Sequence, residues 1–300
     1  MPCFRPVPVW PGVPPNRQVV YSPTKSYAGA RSFLLPCGGC IGCRLSKAQD
    51  WATRMHHEAA LHDQNSFVTL TYADEHLPED GSLSLRALQL FNKRLRKSLG
   101  DRAVRYFACG EYGDQTWRPH YHLILFGHQF PDLTAWSKSP TGHVLHRSEN
   151  LERLWPFGHS LVGHVTHQSA AYVARYTLKK ITGEPASTYY VRPHPVTGIF
   201  YRVVPEFAVM SRRPGIGGDW FNKYASDCFP SDFVIVDGQK HPVPRFYKSK
   251  LSDLEGLRVT QLRKSGAASR GTLDSTDARL STREEAQTLR QKALSRNLGE

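Results

Sequence analysis

Nothing constrains this chain more than residues 118–126, Arg-Pro-His-Tyr-His-Leu-Ile-Leu-Phe. The composition predicts a strand, and side chains two apart on a strand point the same way. His120 and His122 would then project side by side from an otherwise apolar strand, where unpartnered imidazoles are costly to bury. A lone His-X-His proves little in a chain with 14 histidines. Glu111, expected where the preceding strand ends, adds a hard oxygen donor. Two imidazoles and one carboxylate leave open positions on an octahedral Mg²⁺ or Mn²⁺. A phosphate oxygen could fill one of them, with the ion acting as a Lewis acid. The competing reading makes Glu111 a turn residue between Gly110 and Gly113.

Residues 172–180 read Tyr-Val-Ala-Arg-Tyr-Thr-Leu-Lys-Lys, a helical pattern expected to end before Gly183. Tyr172 and Tyr176, four apart, share one face. Lys179 and Lys180 follow Tyr176 at i+3 and i+4, so one of them faces the tyrosines. A phenol titrates near ~10 and needs a nearby cation to act as a nucleophile. Alone, this helix reads as an ordinary amphipathic one with two core tyrosines. Beside the histidine pair it suggests phosphodiester chemistry with tyrosine as attacking group.

The surrounding elements can be read from periodicity. An amphipathic helix is expected over 44–62, and Phe67–Tyr72 is a β-rich run. Ser84 is placed to cap a helix whose stripe is Leu85, Leu88, Phe91, Leu95 and Leu99, closed by Gly100. A strand over 102–109, a turn at 110–114, the histidine strand, a short helix over 150–155, a strand over 160–166 and the tyrosine helix follow, the last capped by Thr166 or Ser169. This order predicts an α+β fold of split βαβ type, an antiparallel sheet with helices on one face. Four regions are expected: an N-terminal arm with a cysteine cluster and helix (1–62), a catalytic core (63–184), a β-rich extension (185–245) and a polar tail (246–300). Ser281-Thr-Arg-Glu284 has the form of a capping box and predicts a terminal helix to about residue 297.

The formal charge of +13 favours a polyanionic partner. No apolar run approaches the roughly 20 residues needed to span a bilayer, and the proline-rich start lacks a signal core, so a membrane partner is not expected and the cytoplasm is. Of six cysteines, Cys37, Cys40 and Cys43 are spaced too tightly for a set of disulfides. With Cys3 as fourth ligand they could hold a structural Zn²⁺. An iron–sulfur cluster is the alternative metal, and free thiols on a glycine-rich turn the alternative without one. Cys109 and Cys228 read as small buried residues. His56-His57-Glu58 reads as surface or packing, and Arg118, Arg175, Arg212 and Arg213 are candidate DNA contacts.

Arg118-Pro-His-Tyr-His-Leu together with Tyr172-Val-Ala-Arg-Tyr-Thr-Leu-Lys-Lys180 resembles the HUH endonucleases that initiate rolling-circle replication. Phe67-Val-Thr-Leu-Thr-Tyr72 is similar to that family's first motif strand. More narrowly, Pro36-Cys-Gly-Gly-Cys-Ile-Gly-Cys-Arg44, Cys109-Gly-Glu-Tyr-Gly113 and Met210-Ser-Arg-Arg-Pro-Gly-Ile-Gly217 resemble the replication initiators of gokushovirus-type microviruses, phages with circular single-stranded DNA. The resemblance implies a ferredoxin- or RRM-like HUH core. It implies a two-tyrosine nickase in which one tyrosine attacks origin DNA, leaving a 5′-phosphotyrosine and a free 3′-OH, and the second releases a circle. Single-stranded origin DNA, host polymerase and helicase as partners, and the cytoplasm of the infected host, are implied with it. Two other readings stay open on the residues: a metal-dependent nuclease that activates water, and a non-catalytic nucleic-acid-binding module.

Overall fold

The computed structural model describes residues 3–14, 18–113, 116–139, 142–176, 180–181, 184–194, 197–268 and 276–293. The chain forms two compact units, Met1–Lys47 with Thr260–Ser295 and Ala48–Val259 with Arg296–Glu300. In the first, β1 (Val7–Pro11) pairs antiparallel with both β2 (Val19–Val20) and β3 (Phe33–Leu35). Helix α1 (Ile41–Ala59) belongs to both units by its residues.

The second unit runs β4 (Asn65–Thr71), α2 (Leu85–Leu99), β5 (Arg105–Tyr112), β6 (Pro119–Phe126), β7 (Thr134–Lys138), β8 (Val144–Arg147), α3 (Glu149–Leu154), β9 (Ser160–Gly163) and α4 (His167–Tyr176). It continues with α5 (Ala186–Tyr189), β10 (Val191–Pro193), β11 (Phe200–Arg202), β12 (Phe207–Met210), α6 (Gly218–Tyr224), β13 (Phe233–Val236), β14 (Gln239–Pro242) and α7 (Arg245–Lys248), and α8 (Asp253–Ala268) belongs by its residues to both units. Helix α9 (Asp277–Ala293) returns to the first unit.

Seven strands form one antiparallel sheet in the order β12-β5-β6-β4-β9-β8-β7. Within it β4, β5, β6 and β9 take the order β5-β6-β4-β9, with α2 and α3 in the two crossovers, which is the split βαβ arrangement. The order follows from chain economy: β5 and β6 pair through a short connection, and each crossover skips one strand.

Helices cover both faces of this sheet rather than one. Every residue of β6 is buried, so both alternating sets need a cover. Leu123 and Leu125 pack with Leu88, Phe91 and Leu95 of α2 and with Leu151 and Trp155. Ile124 and Phe126 pack instead with Ala48, Ala52 and Met55 of α1 and with Ala170, Val173 and Ala174 of α4. Helix α2 starts where expected: Ser84 Oγ accepts from Ala87 N at 3.1 Å, and Gly100 follows its last residue at φ +60°. Fully burying side chains such as Leu88 and Leu95 contributes about 1.5–3 kcal/mol each.

Two local expectations are corrected. Strand β5 runs through Tyr112, so Glu111 lies in a strand and not in a turn; pairing with β6 continues to Tyr112↔Pro119. In the tail, Ser281 lies inside α9, which begins at Asp277. The reciprocal cap forms instead at Ser252, whose Oγ accepts from Glu255 N while Glu255 Oε2 accepts from Ser252 N. No helix among the described residues is long and apolar enough to cross a membrane.

Candidate active site

The site grows out of strand register. Glu111 on β5 stands directly opposite His120 on β6, and His122 opposite Cys109. On the other flank of β6, Thr71 and Thr69 of β4 face the same two histidines. Period-2 alternation sends Glu111, His120 and His122 to the α1/α4 face and Tyr121 to the α2 face.

All three donors are buried and converge. Glu111 Oε1 lies 2.6 Å from His120 Nε2 and 3.1 Å from His122 Nε2, and one ligand atom from each residue falls within 4.8 Å of the others. The far ring nitrogens are engaged too. His120 Nδ1 donates to the Arg118 carbonyl at 3.1 Å, and His122 Nδ1 sits 3.0 Å from Thr69 Oγ1. Such outer bonds fix ring orientation and leave Nε2 facing the common point. Burial alone would push the Glu111 carboxyl up, but hydrogen bonds from His120 and His122 and their charge hold it down at about 2. The donor set therefore fits one divalent cation with neutral-imidazole and carboxylate ligands.

Tyr172 packs against this group. Its ring meets His122 edge-on at 5.4 Å between centroids, and Phe67 lies flat against His122 at 5.6 Å while meeting Tyr172 edge-on at 6.2 Å. Helix α4 is positioned by its cap, in which Ser169 N donates to Thr166 Oγ1 and Thr166 N to Ser169 Oγ. A shallow open pocket borders Tyr172 and Phe67 and is lined further by His143, His164, Gln168 and Ser169.

The remaining candidates fall elsewhere. Tyr176 ends α4. Lys179 lies outside the described residues, and Lys180 is exposed beyond the end of that helix. Arg118 is half-buried; its guanidinium donates to the Tyr72 carbonyl and pairs with Asp74 at 2.7 Å, tying the start of β6 to the end of β4. Arg175 Nε reaches the Ala171 carbonyl at 3.4 Å. Arg212 and Arg213 are exposed after β12. Cys3, Cys37, Cys40 and Cys43 come together in the first unit, whereas Cys109 and Cys228 are buried in the second.

Sequence reasoning missed several residues that hold this face. Thr69 and Phe67 could have been found, since the alternation of β4 puts them on the histidine face. Glu58 could not. It is buried, pairs with Arg105, and accepts from Gly217 N at 2.6 Å. His57 stacks on Trp220 at 3.5 Å and shares a 2.9 Å hydrogen bond with Tyr247. Burial, with the charges of His56 and His167, pushes the His57 ring down to about 3. Gly217 explains part of the glycine run: its φ is +74°, and a Cβ there would stand 2.4 Å from the Tyr247 hydroxyl.

Comparison with known proteins bears on the same residues. The family model for replication-associated protein ORF2/G2P matches residues 65–181, the span from β4 to just beyond α4. Replication-associated protein VP4 of Bdellovibrio phage phiMH2K is 35% identical over 257 residues, covering 83% of this chain and 76% of that protein. Replication-associated protein ORF2 of Spiroplasma virus 4 is 30% identical over 233 residues, 72% of this chain and 67% of the relative. For replication-associated protein ORF4 of Chlamydia phage 1 the figures are 29% over 234 residues, 74% and 55%. No solved structure matches.

Proposed function

The chain belongs to the replication-associated proteins of gokushovirus-type phages, and from that premise we propose that it starts replication by nicking and rejoining single-stranded origin DNA. The observation that carries this reading is the packing of Tyr172 against a buried Glu111–His120–His122 group. A Mg²⁺ or Mn²⁺ ion held by those three side chains would polarise a non-bridging phosphate oxygen and lend the site positive charge. Glu111 supplies the anionic donor, and the two imidazoles the neutral ones. Thr69 and the Arg118 carbonyl keep both rings aimed. The open pocket beside Tyr172 is where the nucleotide next to the cut would lie against the surface.

In the proposed cycle the phenol oxygen of Tyr172 or Tyr176 attacks phosphorus, and the bond to the 3′ oxygen breaks. The 5′-phosphate stays on tyrosine; the 3′-OH primes host polymerase, with a host helicase opening the duplex. The second tyrosine acts on the regenerated origin. Rejoining needs no nucleotide cofactor, because the phosphotyrosine keeps the phosphodiester at nearly its original energy. The net positive charge suits the polyanionic partner.

Burial of Tyr172 at 6% exposure favours a second reading, in which the tyrosine is packing and a water attacks. Labelled single-stranded oligonucleotides tiling the cognate genome, incubated with protein and Mn²⁺ and run on denaturing gels, separate the two. The nickase gives a protein-linked band that EDTA abolishes. Cleavage without a linked band moves the chemistry to water, and binding without cleavage leaves a nucleic-acid-binding module.

A further inference from the structure

We infer that Cys3, Cys37, Cys40 and Cys43 bind one Zn²⁺, and that this ion fastens helix α9 to the N-terminal arm. The inference concerns the first unit and stands independently of the nicking chemistry. Four Sγ atoms lie within 4.8 Å of one another, with Cys3 Sγ 3.6 Å from Cys37 Sγ and 3.8 Å from Cys40 Sγ. Bonded sulfurs would be about 2.05 Å apart. A tetrahedron of sulfurs around zinc, with Zn–S near 2.3 Å, has edges of about 3.8 Å. The observed separations are those of ligands around a single ion.

The backbone is arranged to carry the thiolate charge. Cys37 N donates to Cys3 Sγ at 3.2 Å, Cys40 N to Cys37 Sγ at 3.3 Å and Phe4 N to Cys40 Sγ at 3.3 Å. Gly38, at φ +77°, makes the turn between the first two ligands of the cluster. Cys40 directly precedes α1 and Cys43 lies in its first turn, where the helix macrodipole favours anions. Soft sulfur donors reject Mg²⁺ and select zinc among the abundant divalent ions. A two-iron or four-iron cluster would share the four thiolates among its irons and so spread the sulfurs more widely. Binding displaces any remaining thiol protons to solvent, one per cysteine, and all four positions on the ion are filled by protein.

The link to α9 runs through the residues next to Cys3. Phe4 is buried together with Cys40 and Leu280 of α9. Arg5 Nε reaches Glu284 Oε2 at 2.7 Å. Leu280 and Glu284 are four apart, so one face of α9 makes both contacts. Apart from Leu280, the side chains described on α9 are exposed or half-exposed, and an isolated polar helix of this length is marginal in water. Its order therefore depends on a seam whose arm-side residues lie between zinc ligands.

The test uses the full chain purified without chelator. Metal analysis is expected to return about one zinc per chain and a colourless protein. Zinc is then withdrawn with a chelator and a thiol reductant, and hydrogen exchange is followed by mass spectrometry. Peptides from 276–293 are expected to exchange about tenfold faster or more, and to recover protection when Zn²⁺ alone is returned. Leu280→Asp should free the same peptides while zinc content stays unchanged, whereas Cys43→Ala should lose zinc. Iron with visible absorption, zinc well below one per chain, or zinc loss that leaves 276–293 protected would each overturn the inference. The wild-type exchange decides the matter even if a cysteine variant fails to fold.

Discussion

The two candidate metal centres are built in opposite ways. Glu111, His120 and His122 project from adjacent strands whose pairing fixes their spacing, and each ring is held by a second bond to Thr69 or the Arg118 carbonyl. The four cysteines come from an arm, a glycine turn and the start of α1, held by short N–H···S contacts. The first arrangement is oxygen- and nitrogen-rich and made by the sheet. The second is all sulfur and would be made in large part by its ion. A site that must bind and release a phosphate needs vacant positions on a rigid frame. A site that closes a fold needs none. The donor chemistry of each centre suits the role proposed for it.

That contrast can be broken most forcefully at the histidines. His122→Ala is expected to lower Mn²⁺-dependent nicking on the order of 10⁴-fold while zinc content remains unchanged; a parallel loss of both metals would erase the distinction. A brief EDTA exposure should likewise stop nicking before it removes zinc, since the open site would hold its ion with fewer protein ligands.

The frame of the sheet unit should show its dependence on buried charge next. Glu58→Ala removes the acceptor of Arg105 Nε and of Gly217 N, while Arg105 keeps its bond to the Pro214 carbonyl. Chemical denaturation should record a loss of about 3–5 kcal/mol. A change below about 1 kcal/mol would mean that the pair contributes little to the frame.

His57 makes a pH test. Its ring titrates near 3 in the fold against 6.5 for the free group, so protons bind the unfolded chain more readily between those values. Stability is then fully present above about pH 6.5 and falls as pH drops towards 3. His57→Phe, which keeps a ring against Trp220, should remove on the order of 2 kcal/mol of the difference between pH 6.5 and pH 4. An unchanged slope would place the titration elsewhere.

The gentlest perturbation sharpens the comparison. Thr69→Val keeps the shape of the side chain and loses the bond to His122 Nδ1. The Mn²⁺ concentration for half-maximal nicking should rise about tenfold, with maximal rate nearly kept. No change would show that strand register alone aims the ring.

Much of the site was legible because it is local. His120 and His122 declare themselves through period-2 spacing, Tyr172 through its place on a helix that packs on them, and Ser84 through its position before an apolar stripe. Glu111 was half legible. Its place beside the histidine pair was expected, but its strand could not be seen, because pairing with β6 rather than its own Gly-rich neighbourhood extends β5 that far. The helices on the second face were missed because α1 and α4 flank the split βαβ core in sequence and reach it only by packing. Glu58 was out of reach for the same reason: its partners lie 47 and 159 residues away. The cap at Ser252 and the earlier start of α9 show that a capping pattern can be written at more than one place, and packing selects among them.

The central claim is that a tyrosine of α4 takes up the DNA. Arg175 lies between Tyr172 and Tyr176, so trypsin separates them onto different peptides, 154–175 and 176–179. Wild-type protein should be trapped on an origin oligonucleotide with Mn²⁺, digested with nuclease and trypsin, and read by mass spectrometry. The account predicts a nucleotide 5′-phosphate on one of these two peptides, and its disappearance in the double variant Tyr172→Phe, Tyr176→Phe. Cleaved DNA with both peptides unmodified, or a nucleotide on any other tyrosine, would contradict it.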